Sequence, residues 1–178
     1  MIIENKFTFR FYFQTMTRVL GEPRKFFIEI PEDITLKTPV CFLLVSSIFF
    51  SIANLLSAPY TSPLMTGSIF FINAVGMTLI ATVLGYMVMT MITDRQVTFA
   101  KFFSIYVFSS GVTLLASWIP IFFFITEPWK WWLIWTGLVK GCGFTWWRAL
   151  LIIGLSITII VLFFYSLTLF FQITGCKF

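Results

Sequence analysis

From Thr38 to Thr93 the chain carries not one charged residue. Soluble domains place charge on roughly a quarter of their positions, so a bare stretch of this length has to be hidden from water. Two more runs, Phe102–Thr126 and Ala149–Cys176, are equally free of charge. Each equals or exceeds the ~20 apolar residues a helix needs to cross a hydrocarbon core of about 30 Å. Lipid offers no partners to peptide groups, so a spanning segment is either a helix or part of a closed barrel. Continuous hydrophobicity without strict alternation selects the helix. With 59% hydrophobic and 11% charged residues over 178 positions, the same reading extends to the whole chain, an all-α integral membrane protein.

Prolines and charges divide it. "SAPYTSP", with Pro59 and Pro63, reads as a turn that cuts the longest run in two. A first span is expected near Pro39–Leu56, a second near Leu64–Ile92, a third over Phe102–Phe124 with a bend at Pro120, and a last over Trp147–Phe171. The intervening "EPWKWWLIWTGLVKGCGFTWWR" has a short uncharged centre. Trp131–Gly141 is there a short fourth span with Lys140 snorkelling to the interface, or a re-entrant segment. Five spans place Lys6, Arg10, Arg18, Arg24, Lys25, Lys37, Arg95, Lys101, Lys140 and Arg148 on one side, against Lys130 and Lys177 on the other. The positive-inside rule then puts the N-terminus in the cytoplasm and the C-terminus outside. Without the short span this asymmetry weakens, so five is the preferred count. Trp118, Trp129, Trp131 and Trp132 at the outer ends, and Trp146 and Trp147 at the inner start of the last span, read as two interfacial belts.

Residues 1–37 are expected to form a cytoplasmic, interfacial amphipathic segment, and 38–178 the transmembrane domain. Arg10 interrupts the first apolar run, which argues against a cleavable signal. Phe9, Phe13, Met16 and Leu20 fall on one helical stripe, with Gly21 to end that helix. Pro23 suits the first turn of a second short helix, "PRKFFIEI". Arg24 and Lys25 beside Phe26 and Phe27 describe an in-plane segment, with aromatics in the acyl boundary and, together with Arg18, cations at anionic headgroups.

Chemistry is sparse. The chain has no histidine, which removes the commonest general base and metal ligand. Cys41, Cys142 and Cys176 have no metal-ligand spacing, and "KGCGF" lacks the lysine-serine and strand context of a phosphate loop. The acidic residues all lie outside the confident spans, which speaks against ion-coupled transport. No catalytic, metal or cofactor site is expected, and the net charge of +5 follows from the inner loops without any nucleic acid. Within the spans, Asn54, Asn73 and Gln172 are candidates for hydrogen bonds between helices or to a partner. Pairs of small residues four apart, Ala81 and Gly85, Gly137 and Gly141, Ser47 and Ser51, permit close helix approach.

The order of several motifs resembles the Yip-one, or Ypt-interacting protein, domain family in its bacterial members. "RVLGEPRKFFIEI" ahead of "KTPVCFLLV" is similar to the family's Arg-Val-Leu, Pro-Arg and Phe-Phe pattern before its first span. "TDRQVTFAKFFSIYVFSSG", with Thr98, Phe99, Phe102 and Tyr106, resembles its polar turn followed by an aromatic-rich helix. "LASWIP" and "TGLVKGCGFTWWRALLI" are similar to the end of its third span and to its short fourth span. The resemblance implies a five-helix membrane domain with a cytoplasmic N-terminus, in a bacterial inner membrane. The eukaryotic members' Asp-Leu-Tyr-Gly-Pro motif is matched here only by Pro39, so their GTPase-binding role is not carried over. The expected function is non-enzymatic: a scaffold, anchor or accessory subunit in contact with the bilayer and with other membrane subunits, with no soluble substrate. The alternatives are a small permease lined by Asn54, Asn73, Ser46, Thr78 and Thr82, or a lipid-binding protein acting through Arg18, Arg24 and Lys25.

Overall fold

A computed structural model describes residues 8–57, 59–93 and 97–174. The described residues are all-helical: α1 (Phe9–Gly21), α2 (Pro23–Ile28), α3 (Lys37–Ser57), α4 (Pro63–Ile92), α5 (Phe99–Ser117), α6 (Pro120–Thr136), continued by a π-turn over Gly137–Gly141, and α7 (Trp146–Thr174). Among the described residues, four stretches are long and apolar enough to cross a membrane: α3, α4, α5 and residues Trp146–Ser166 of α7.

Helix α5 is the axis. Every residue from Lys101 to Thr113 is buried, because α5 has no polar face to leave in contact with solvent. A helix apolar all round belongs in an interior. Two of its hydroxyls are closed within the helix, unlike that of Ser109, which is buried without a partner among the described residues: Ser104 donates to the Ala100 carbonyl at 2.7 Å, and Thr113 to that of Ser110 at 2.9 Å. Each thus satisfies itself on its own helix at little cost. α1, α3, α4, α6 and the π-turn pack around α5, while α7 lies outside against α4 and α6. Thr78 and Thr82 on α4, Ser51 on α3 and Ser156 on α7 close their hydroxyls in the same i−4 manner.

Close approach depends on glycine. A Cβ on Gly85 would stand 2.6 Å from the Tyr106 hydroxyl oxygen, and one on Gly111 would stand 2.7 Å from the Phe42 ring. A Cβ on Gly141 would meet the Phe27 carbonyl oxygen at 2.9 Å, so the backbone of α2 rests directly on the π-turn. Of the small-residue pairs noted in the sequence, Gly85, Gly137 and Gly141 are therefore used for close contact.

The third and fourth helices divide differently from expectation. α5 ends at Ser117 rather than near Phe124, and Pro120 opens α6 instead of bending its predecessor. Proline at the first helical position leaves no donor unsatisfied that was not already so. The fourth helix consequently starts eleven residues before Trp131 and takes in Glu127 and Lys130, which pair at 2.7 Å on adjacent turns. α6 runs back along α5: Thr126 Oγ1 accepts a 3.0 Å hydrogen bond from Ser117 Oγ at one end, Gly137 meets Ile105 farther on, and Gly141 meets Phe27 beyond.

Replacing Gly111 by alanine forces the Phe42 ring, itself fully buried, to move, and is expected to cost about 1–3 kcal/mol. Gly76→Ala, where a Cβ meets nothing within 4 Å, is expected to keep or raise stability, by up to about 1 kcal/mol. Thermal unfolding in detergent, followed by helical circular dichroism, separates the two.

Candidate functional site

The charged and aromatic residues singled out in the sequence meet where α1 and α2 close over one end of α3, α5 and α6. Gly21 ends α1, Glu22 joins the two helices, and Pro23 begins α2. Both helices form where the sequence pattern places them. The hairpin is clasped by Arg18, whose Nη2 donates to both oxygens of Glu29, at 3.1 and 2.9 Å. Lys25 pairs with Glu22 at 3.0 Å in full exposure, so that contact adds little.

The inward face is aromatic. Tyr12 packs on Phe42 with ring centroids 4.8 Å apart, Phe42 on Phe108 at 5.3 Å, Phe108 on Phe26 at 5.3 Å and Phe26 on Phe27 at 5.5 Å. These contacts join α1, α3, α5 and α2 in one continuous chain of rings, and edge-to-face pairs add about 0.5–1.5 kcal/mol each beyond their buried area. Tyr12 Oη and Ser46 Oγ share a 3.0 Å hydrogen bond. Burial raises the Tyr12 pKa above its ordinary value, opposed by the bond with Ser46. The folded protein therefore keeps this proton when the unfolded chain has lost it, and the contribution to stability declines as pH rises beyond about 10. Farther along, Thr98 Oγ1 donates to the Glu32 carbonyl at 2.8 Å, and Lys101, largely buried, lies 3.8 Å from the Glu32 carboxylate. The segment after α2 is thereby fastened to the start of α5.

One expectation needs correction. Phe26 and Phe27 do not face acyl chains: they are 4% and 0% exposed, sealed under α2 against Phe108 and the π-turn. The inner stripe of α1 is Tyr12, Thr15 and Val19, whereas Phe9, Phe13 and Leu20 point outward. Sequence periodicity finds an apolar stripe but does not say which of two apolar stripes meets the bundle. Pro23 is buried, Arg24 and Lys25 are exposed, and Arg18 is half-buried.

The intramembrane polar candidates do not converge. Asn54 donates to the Phe50 carbonyl of its own helix at 2.8 Å, Tyr106 is buried with its hydroxyl over Gly85, and Asn73 is exposed on α4. Gln172 falls in the last turn of α7, where its side chain lies outside the described residues. Ser46, Thr78 and Thr82 are interior, so Asn73, on the outer surface, does not share a pathway with them. Among the described residues no cluster of three or more His, Cys, Asp or Glu is placed to hold a metal. Sequence reasoning passed over Tyr12, Phe108 and Glu29, and named Ser46 only as a pathway residue rather than as the partner of Tyr12. None carries a local signal, since Glu29 stands eleven residues from Arg18 and the other contacts join separate helices.

A family model described as the Yip1 domain matches residues 17–168. That match takes in the Arg18–Glu29 clasp, the buried phenylalanines of α2 and most of α7. No curated protein and no solved structure matches the chain.

Phe27→Ala removes a fully buried ring and is expected to cost about 3–5 kcal/mol, with the N-terminal helices becoming sensitive to added protease. Arg24→Gln, at an exposed position, changes stability by less than about 0.5 kcal/mol. Equal protease sensitivity of the two variants would contradict the buried placement of α2.

Proposed function

The chain belongs to the Yip1 domain family, and on that premise we propose that it is a non-enzymatic integral membrane protein acting as a scaffold or accessory subunit of a larger membrane complex. The observation that carries this reading is the disposition of apolar surface. α5 is enclosed by its own chain, while α3, α4 and α7 each keep Leu, Ile, Val, Met or Phe side chains exposed along their length. In the spanning windows of α3, α4 and α7 less than a third of the residues are buried, against 72% in α5. A folded interior with broad unpartnered helix faces suits association in the bilayer better than a reaction within the chain, because close packing is what holds membrane helices together.

In this reading α6 and its π-turn make a short crossing, the fourth in order of five. The antiparallel path of α6 along α5, from Ser117 to Phe27, supports it. The N-terminal helices, the α4–α5 loop and the π-turn then share the cytoplasmic side, with Arg24, Lys25, Lys140 and Arg148 exposed there. The stacked, exposed Trp146 and Trp147 stand at that same end.

Two measurements test the proposal. Reporter fusions in the α4–α5 loop and at the C-terminus report opposite sides of the membrane if α6 crosses, and the same side if it does not. Extraction from native membranes in mild detergent is expected to bring down a second membrane polypeptide with the chain. Recovery of this polypeptide alone, under conditions that preserve known membrane complexes, would remove the accessory role.

A further inference from the structure

The outer face of α4 carries a group that lipid does not satisfy. Ile69, Ile72, Asn73, Gly76, Ile80 and Val83 recur at i, i+3, i+4, i+7, i+11 and i+14, which is one stripe of a helix, and the isoleucines, Val83 and Asn73 are exposed. Asn73 is the eleventh residue of a thirty-residue helix, roughly 15 Å along an axis of about 45 Å at 1.5 Å per residue. With a hydrocarbon core of about 30 Å, its carboxamide lies within or at the edge of the outer half of that core. Among the described residues its amide has no hydrogen-bond partner, whereas Asn54 is closed on Phe50 of its own helix. The backbone beside Asn73 is open, since a Cβ on Gly76 would meet nothing within 4 Å. Next to this stripe, between α3 and α4, runs an apolar cleft of about 520 Å³ lined by residues including Ile48, Ile52, Leu55, Leu64, Ser68 and Ile72.

From these features we infer that the α4 face is a docking surface for a second copy of this chain, joined by reciprocal Asn73–Asn73 hydrogen bonds about a two-fold axis. A lipid tail fills an apolar cleft but leaves a carboxamide without donors or acceptors. A protein helix does both, and the carboxamide is self-complementary, with two N–H donors and a carbonyl acceptor. Apposing the same patch on two copies pairs each amide with its equivalent, as an isologous interface requires. Gly76 lets the two backbones approach closely, and the apolar side chains of one α4 enter the cleft of the other. The inference rests on the membrane placement of α4, and it is independent of whether an unrelated partner binds elsewhere.

The test uses the full chain in phosphatidylcholine vesicles over a series of protein-to-lipid ratios, with energy transfer between donor- and acceptor-tagged copies. The native chain is expected to dimerise, and Asn73→Leu to weaken the dimer by about tenfold or more, from the loss of two hydrogen bonds in lipid. Asn54→Leu, which removes an amide already satisfied, leaves association unchanged. Asn73 is exposed, so the leucine variant is expected to keep native helicity and thermal midpoint. In a background with Cys41, Cys142 and Cys176 replaced by serine, Gly76→Cys oxidised with molecular iodine, which enters the bilayer and takes the two electrons released as two thiols join in a disulfide, yields in native membranes an adduct of twice the chain's mass. Tyr165→Cys, on the exposed surface of α7, does not. The inference is overturned if the native chain stays monomeric at every ratio, if Asn73→Leu and Asn54→Leu associate alike, or if the Gly76→Cys adduct joins a different polypeptide. Loss of self-association in Asn73→Leu with retention of a co-purifying subunit separates this interface from the accessory role.

Discussion

The enclosure of α5 is the constraint on which the rest of the structure depends. A helix with buried residues from Lys101 through Thr113 has to be covered on all sides, and neighbouring helices do so only if they come close. Gly85 and Gly111 supply that closeness where Tyr106 and Phe42 pack. Ser51, Thr78, Thr82, Ser104, Thr113 and Ser156 are tolerated in the interior because they return their hydroxyls to their own helix, which leaves those interhelical surfaces to van der Waals contact. What α5 gains in enclosure, α3, α4 and α7 give up: their outer faces are the surface of the molecule.

The N-terminal helices belong to this enclosure. They complete the wall around the start of α5 through the ring series from Tyr12 to Phe27, and the Arg18–Glu29 clasp holds the hairpin shut over it. A half-exposed ion pair supplies geometry more than energy; burial of Phe26, Phe27 and Val19 supplies the energy. The segment that looked in sequence like a peripheral membrane-surface element is, in its inner half, part of the core. Its cations keep the outward position that their charge demands.

Some of this was legible beforehand, and the reasons differ by residue. Gly21 and Pro23 marked helix boundaries correctly because a C-terminal glycine and an N-terminal proline act within one turn of where they stand. Pro120 misled because the same residue suits a bend within a helix or the start of a new one, and only the packing of Thr126 against Ser117 decides between them. Asn54 and Asn73 read alike in sequence, both single amides in apolar runs. They part in the fold because Asn54 bonds back to Phe50 while Asn73 stands on the uncovered face of α4.

The sequence by itself determined that this chain is helical and suited to a bilayer. Both follow from local facts, the length of uncharged runs and the inability of lipid to satisfy peptide groups. Only the tertiary structure decided which apolar stripe of α1 turns inward, that Phe26 and Phe27 lie beneath α2, and that Asn73 is left facing out. In a chain apolar on nearly every face, hydrophobicity no longer distinguishes inside from outside. Partners distant in sequence, Phe108 for α2 and Ser46 for α1, make that choice.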